Sequence, residues 1–336
     1  MKSNPSLPLS VAVIGGGFGR FHIGGLLNEP DKFVIKAICD QNPAVIDDVR
    51  KSFALPASCV FHTDYHKVIS DPTIDAVFVS LPHHLHESVC IEAANYGKHI
   101  MLDKPIARTL EEADRIIEAT RKNQVTLMIA HQMRFYVPFR KMHELISKNV
   151  LGQPLYAETC HHQNFNPPAS ANWRSKSSVG GGCVIGSGIH NIDLMRWFFG
   201  EPVEVVAFGV GDPNRLEAEV AASISFRFKQ GTVVNFSCNW GCHGAMNSYE
   251  WGEWAIFCSQ GDVAWKNGSL IIGHNYGKEI EEFKGENYPC ESIWTHFAGC
   301  IINRTEPLIS GTDARASLAL VQNIYKSIAT GKPVLC

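Results

Sequence analysis

Val11-Ala12-Val13-Ile14-Gly15-Gly16-Gly17-Phe18-Gly19-Arg20 stands near the head of a 336-residue chain. Four apolar residues read as a buried strand. The glycines that follow let the backbone turn tightly and approach a pyrophosphate. A helix expected to begin near Phe18 would aim free N–H groups and its positive dipole end at that phosphate. The strict G-x-G-x-x-G spacing is not met, because counting from Gly15 and Gly17 puts Arg20 at the last position. The chain has Gly15, Gly17 and Gly19 instead, one residue shorter. A glycine cluster alone also suits an ordinary turn. Strand, glycines and helix in that order read as a nucleotide site, with Gly15, Gly17, Phe18, Gly19 and Arg20 as candidate contacts.

Outward from this turn, short apolar runs alternate with amphipathic stretches as far as residue 130. Strands are expected at 11–14, 34–39, 76–81, 100–102 and 125–129. Asn42-Pro43 is a helix start, with asparagine as cap and proline at the first helical position. Thr109-Leu110-Glu111-Glu112 is a capping box for a helix toward Lys122, and Gly97 is a helix stop. Strands alternating with helices predict an α/β Rossmann domain, a doubly wound parallel sheet. In such sheets ligands bind at the carboxyl ends of the strands. Asp40 ends the second expected strand, where an acid accepts hydrogen bonds from the ribose hydroxyls and repels a 2′-phosphate. NAD is therefore favoured over NADP. A plain turn acid is the competing reading of Asp40.

Two further strand ends carry chemistry. Leu81, Pro82, His83 and His86 occupy a strand-to-helix turn and are candidate cofactor contacts. Three histidines in His83-His84-Leu85-His86 also invite a metal, but no neighbouring acid or cysteine completes a ligand set. Asp103-Lys104-Pro105 follows the apolar Ile100-Met101-Leu102. Lys104 reads either as a cation handling a substrate oxygen or as a lysine snorkelling from a strand end, and Asp103 and Lys104 are also candidate cofactor contacts.

The length fits two domains, here 1–130, 131–312 and a C-terminal helix in 313–336 expected to pack back on the first. The net charge of −3 and the lack of a basic stripe give no case for nucleic acid. No apolar run is long enough to span a bilayer. Residues 1–8 lack the apolar core of a signal peptide and read as a disordered lead-in. The 11 scattered cysteines, with only Cys238 and Cys242 close in sequence, point to a reducing cytoplasm rather than to zinc.

Past residue 131 the alternation stops. Strand-like runs at 155–161, 203–210, 220–228, 232–240 and 255–259 predict an α+β domain with a largely antiparallel open sheet, a face that often pairs with another subunit. Gly180-Gly181-Gly182 and Gly186-Ser187-Gly188 lead to His190 at the start of a helix closed by Gly200. A histidine beside a glycine-rich, water-accessible loop suits general-base work, while a satisfied structural histidine is the competing reading. His190 and Asp193 share one side of that helix. Trp173 and Arg174 could wall a sugar pocket or belong to the core. Arg134, Trp173, Arg174, Asn191 and Asp193 are the candidate substrate contacts.

In order along nearly the whole chain, the glycine turn with Arg20-Phe21-His22, Asp103-Lys104-Pro105, Trp173-Arg174, Gly180-Gly181-Gly182, His190-Asn191-Ile192-Asp193 and Ser259-Gln260-Gly261-Asp262 resemble the glucose–fructose oxidoreductase / inositol dehydrogenase / MocA family. The resemblance implies NAD(P)-dependent oxidation or reduction of a secondary hydroxyl on a sugar, cyclitol or related polyol. By position, it makes Lys104 and His190 the catalytic pair. The family signature Glu-Lys-Pro carries Asp103 in place of glutamate. Many members have an aspartate four residues before the histidine, where this chain has Gly186. That departure leaves Asp193 or a substrate group as partner for His190 and leaves the substrate open. A redox-neutral NAD-dependent lyase, a keto-sugar reductase and a non-catalytic NAD sensor are the alternatives. A homo-oligomer, dimer or tetramer, is expected.

Overall fold

The computed structural model describes residues 6–165, 173–212, 216–243, 252–285 and 288–336. Residues 1–5 of the expected lead-in lie outside them. The chain forms two compact units, Met1–His131 with Glu291–Arg315, and Gln132–Cys290 with Ala316–Cys336.

The first unit starts with β1 (Leu9–Ile14), α1 (Gly16–Leu27), β2 (Phe33–Cys39), α2 (Pro43–Ser52), β3 (Val60–His62) and α3 (Tyr65–Ser70). It continues through β4 (Ala76–Val79), α4 (His86–Asn95), β5 (His99–Leu102), α5 (Leu110–Lys122) and β6 (Leu127–Ile129). Among the described residues these strands form one parallel sheet in the order β3-β2-β1-β4-β5-β6. The order reverses between β1 and β4, which places a ligand crevice at the carboxyl ends of those strands. β1 and β4 are almost wholly buried because helices cover both faces. The expected caps form. Asn42 accepts from the Ala44 N–H and Thr109 from the Glu112 N–H. The Glu112 carboxylate also accepts from the Arg108 N–H at 3.0 Å.

The second unit begins with α6 (Val137–Ser147), β7 (Pro154–His162) and α7 (Ile189–Phe199). Then come β8 (Pro202–Asp212), β9 (Leu216–Phe228), β10 (Val233–Asn239), β11 (Glu253–Cys258), β12 (Gly261–Lys266), β13 (Ser269–His274) and β14 (Glu279–Phe283). After α8 (Ile293–Asn303) and α9 (Gly311–Thr330), the chain ends in β15 (Val334–Leu335). The sheet order is β14-β13-β12-β11-β7-β10-β9-β8-β15, antiparallel except for the β7–β10 pair. One face is the core, with Phe226, Phe236, Trp254 and Ile256 buried.

The expected domain division differs from this grouping in two places, each for a packing reason. Residues 291–312 were expected in the second domain but group with the first. α8 is strongly apolar, and its Trp294 meets Phe33, Phe78 and His22 edge-on at 5.7, 5.5 and 5.9 Å. Gly25 of α1 makes room for that indole. Ser292 caps α8 and donates to Glu29 at 2.7 Å. The end of the chain was expected on the first domain but groups with the second. β15 pairs with β8, and Ser327 accepts from the Ala207 N–H at 3.0 Å while donating to the Lys332 carbonyl.

Candidate active site

In the first unit the turn after β1 is a fitted cradle. Gly15 has φ 97°, and a β-carbon there would lie 2.0 Å from the Ser80 carbonyl oxygen, so only glycine fits. Gly17 has nothing within 4 Å of its missing side chain, an open approach for a ligand. Gly19 packs close on Val13 and seats the helix on the sheet. α1 starts at Gly16, two residues before the expected point, so the glycines themselves form its first turn and direct its free N–H groups. Asp40, at the end of β2, accepts from the Gly16 N–H at 2.9 Å and from the Asn42 N–H at 2.9 Å. A carboxylate has about four lone-pair directions, so ribose hydroxyls can still be accepted. These features fit an NAD pyrophosphate and ribose. Arg20 bonds back to the Gly17 carbonyl and pairs with Asp48, so its guanidinium braces α1 against α2.

The turns after β4 and β5 are tied together. Ser80 donates to Asp103 at 2.9 Å, and the other Asp103 oxygen accepts from the Lys104 N–H at 2.8 Å. His86 is fully buried, with its ring nitrogens 2.9 Å from the Pro105 and Leu81 carbonyl oxygens. That leaves no ring nitrogen for a ligand, which corrects the expectation that His86 touches the cofactor. Its neutral ring donates to one of these carbonyls and packs between the Leu81-Pro82 and Lys104-Pro105 segments instead. Burial, more than any charge, lowers its pKa. His83 is also buried, tilted against His86 at 5.6 Å.

His22 did not figure among the candidates. Burial lowers its pKa, the Asp103 carboxylate opposes that shift and the Lys104 ammonium adds to it, so its ring belongs to the Asp103-Lys104 neighbourhood. The signal was available: His22 interrupts the stripe Gly19, Ile23, Leu26 that faces the sheet.

In the second unit the segment before His190 is not an open loop. Residues Val184–Gly188 form a π-helical turn that runs into α7, and His190 is 2% exposed. Asp193 was a possible partner for His190 or for substrate. Its oxygens instead accept from Arg134 Nε at 2.7 Å, Arg134 Nη2 at 2.6 Å and Ser317 Oγ at 3.2 Å, all buried. Arg134 and Asp193 thus occupy each other. Asn191 is fully buried and donates to Thr159 on β7 at 2.9 Å. Trp173 and Arg174 sit together in a short helical turn, the guanidinium 4.4 Å from the ring centroid. The half-buried Glu219 accepts from the Val184 N–H at 2.9 Å and from Tyr325 at 3.0 Å, which anchors the turn that leads to His190. Cys238 lies 3.4 Å, sulfur to sulfur, from Cys183. A concavity of about 490 Å³ on the outer face of the sheet, lined by Tyr156, Glu158, Asn235 and Lys266, contains none of the candidate residues. No helix among the described residues is long and apolar enough to cross a membrane.

A glycine turn at the switch point of a parallel sheet, an acid ending the next strand and a lysine beyond β5 define a dinucleotide-dependent enzyme. The family described as "Oxidoreductase family, NAD-binding Rossmann fold" matches residues 9–131, and "GFO/IDH/MocA C-terminal domain" matches residues 139–264. The levoglucosan dehydrogenase of Pseudarthrobacter phenanthrenivorans is 30% identical over 71% of this chain and 69% of its own length. The 1,5-anhydro-D-fructose reductase of Ensifer adhaerens is 27% identical over 80% of this chain and 82% of its own length. A solved structure of levoglucosan dehydrogenase with NADH and L-sorbose superposes with a TM-score of 0.85, at 22% identity over 97% of this chain and 98% of that one. The aldose-aldose oxidoreductase of Caulobacter crescentus, solved with glycerol, superposes with a TM-score of 0.85, at 23% identity over 98% and 99%. The chain belongs to the Gfo/Idh/MocA oxidoreductase family. It is an oxidoreductase whose cofactor is NAD.

Proposed function

We propose that this enzyme moves a hydride between nicotinamide and a secondary hydroxyl of a neutral sugar, cyclitol or sugar derivative, with Lys104 and His190 acting on that hydroxyl. The observation that carries the reading is the braced lysine turn, with Ser80, Asp103 and His86 fixing the backbone on both sides of Lys104. A lysine that merely snorkels from a strand end needs no such framework. Gly15, Gly17, Phe18 and Gly19 would cradle the pyrophosphate, and Asp40 would take the ribose and disfavour NADP. Bound NAD supplies the hydride acceptor. Lys104 donates a hydrogen bond to the reacting oxygen and stabilises its developing negative charge. His190 takes the hydroxyl proton. Trp173 and Arg174 border the sugar. The named substrates of the relatives support a sugar or anhydrosugar.

The test is an NADH absorbance screen of sugars, anhydrosugars and inositols, followed by Lys104→Met and His190→Asn. Each substitution should lower kcat by about 10²–10⁴-fold with NAD binding retained. Near-normal turnover in Lys104→Met would refute the lysine's role. Sugar conversion without net NADH would replace the dehydrogenase by the redox-neutral lyase. We also infer a cytoplasmic homo-oligomer, dimer or tetramer. In its support, strand register puts the exposed Phe208, Phe257, Ile271 and Ile280 on one open face of the second unit's sheet.

A further inference from the structure

Strand β10 lies against the helical turn that leads to His190. Its core-facing residues Phe236 and Cys238, and Trp240 just past its end, meet Gly188, Cys183 and the Gly186-Ser187 pair respectively. The contact at Gly186 is the tightest. A β-carbon on Gly186 would lie 2.5 Å from Cη2 and Cζ2 of Trp240, so the indole already fills the place of a side chain at 186. Trp240 is fixed there. Its Nε1 donates to Ser187 Oγ at 2.7 Å, its ring packs on Phe165 at 4.5 Å, and it is 3% exposed. Gly186 precedes His190 by four residues along a continuous helical path, and residues so spaced share a helix face. The indole therefore stands where the neighbour of the His190 side chain would be.

We propose that Trp240 is a specificity-determining residue of this enzyme: it gives one flank of His190 an aromatic wall that admits the C–H face of a neutral sugar and rejects a charged or hydroxyl-bearing substituent on that side. This rests on the sugar reading above. The indole has one polar atom, and Ser187 already occupies it. A substrate hydroxyl or carboxylate turned toward this wall loses its water and gains no partner. An apolar ring face loses nothing there.

The test joins a stability cycle to a substrate panel, on the full chain with NAD. Gly186→Ala alone should lower the thermal transition, because the new methyl meets the indole. Gly186→Ala/Trp240→Phe should lose less than the sum of the two single changes, because phenylalanine lacks the two ring atoms that collide. On the panel, Trp240→Phe, whose shorter ring leaves the Ser187 hydroxyl free to pair with a substituent, should raise kcat/KM for uronates and more hydroxylated sugars, relative to the best neutral substrate, by about tenfold or more. A Gly186→Ala protein as stable as the parent overturns the proposal, since the seat would then be vacant. Equal loss of kcat/KM for all sugars in Trp240→Phe also overturns it, leaving the enzyme's activity standing. A parent chain that binds NAD yet turns over no sugar refutes the functional reading itself, and this inference with it.

Discussion

Replacing Asp193 with alanine strands a buried cation. Arg134 is 3% exposed, and its guanidinium makes two hydrogen bonds to that carboxylate, at 2.7 and 2.6 Å. Removing one member of a buried ion pair costs about 3–5 kcal/mol, because the remaining charge keeps its desolvation penalty without its partner. At roughly 2–4 °C per kcal/mol for a domain of this size, the transition should fall by about 6–20 °C. Ser317 also loses an acceptor, and with it one link from Arg196 to Asp193. Differential scanning fluorimetry with urea titration reads both effects. The double variant Arg134→Met/Asp193→Leu should recover most of the loss, since no charge is then left buried. A loss under about 1 kcal/mol in Asp193→Ala refutes the reasoning. So does a double variant as unstable as the single one. A stable Asp193→Ala enzyme with a raised KM for its sugar would return Asp193 to the substrate contacts.

Gly15→Ala should weaken NAD binding at least tenfold by fluorescence titration and destabilise the fold by about 1–3 kcal/mol, from positive φ and the Ser80 clash together; unchanged affinity would show that the turn yields. His143 is stacked on Trp197 at 3.9 Å, and burial, then Arg134 and Arg140, push its pKa from 6.5 down to about 4. The folded state keeps it neutral while the unfolded state takes a proton, so its contribution is present above pH 6.5 and is lost as pH falls toward 4. His143→Phe should flatten that acid limb in urea titrations across this window, and an unaltered slope would contradict the assignment. Burial raises the pKa of Glu219. Its contribution is therefore full below the ordinary carboxylate value of 4.5 and fades as pH climbs through the higher folded value. Glu219→Gln should remove that decline, and a Gln variant with the parental pH slope would count against it.

The first unit was legible because its signals are local. Asn42-Pro43, Thr109 and Gly97 each fix a helix end by a single backbone or side-chain bond, and the glycine turn needs only its neighbours in sequence to be recognised. β3 was missed because a strand of three half-exposed residues carries no period. β12, β13 and β14 were missed although Asn267-Gly268, both at positive φ, is a strong two-residue hairpin signal. The partners of Asp193 and of Gly186 were beyond reach for another reason. Arg134, Ser317 and Trp240 come from distant parts of the chain, and no spacing rule links a residue to a pocket made by a strand fifty positions later. His86 misled because a histidine in a cofactor turn looks the same in sequence whether its ring faces a ligand or two backbone carbonyls.

The position of α8 has a bearing on how the polypeptide is made. Trp294 completes the hydrophobic interior beside Phe33 and Phe78, yet the ribosome delivers it only after the whole of β7 through β14 has emerged. A nascent chain halted at His131 would carry every strand of the parallel sheet with an unfilled gap along α1. Fragments of that length should bind chaperones or aggregate, and a soluble cofactor-binding half would require the distal helix to be grafted back onto it.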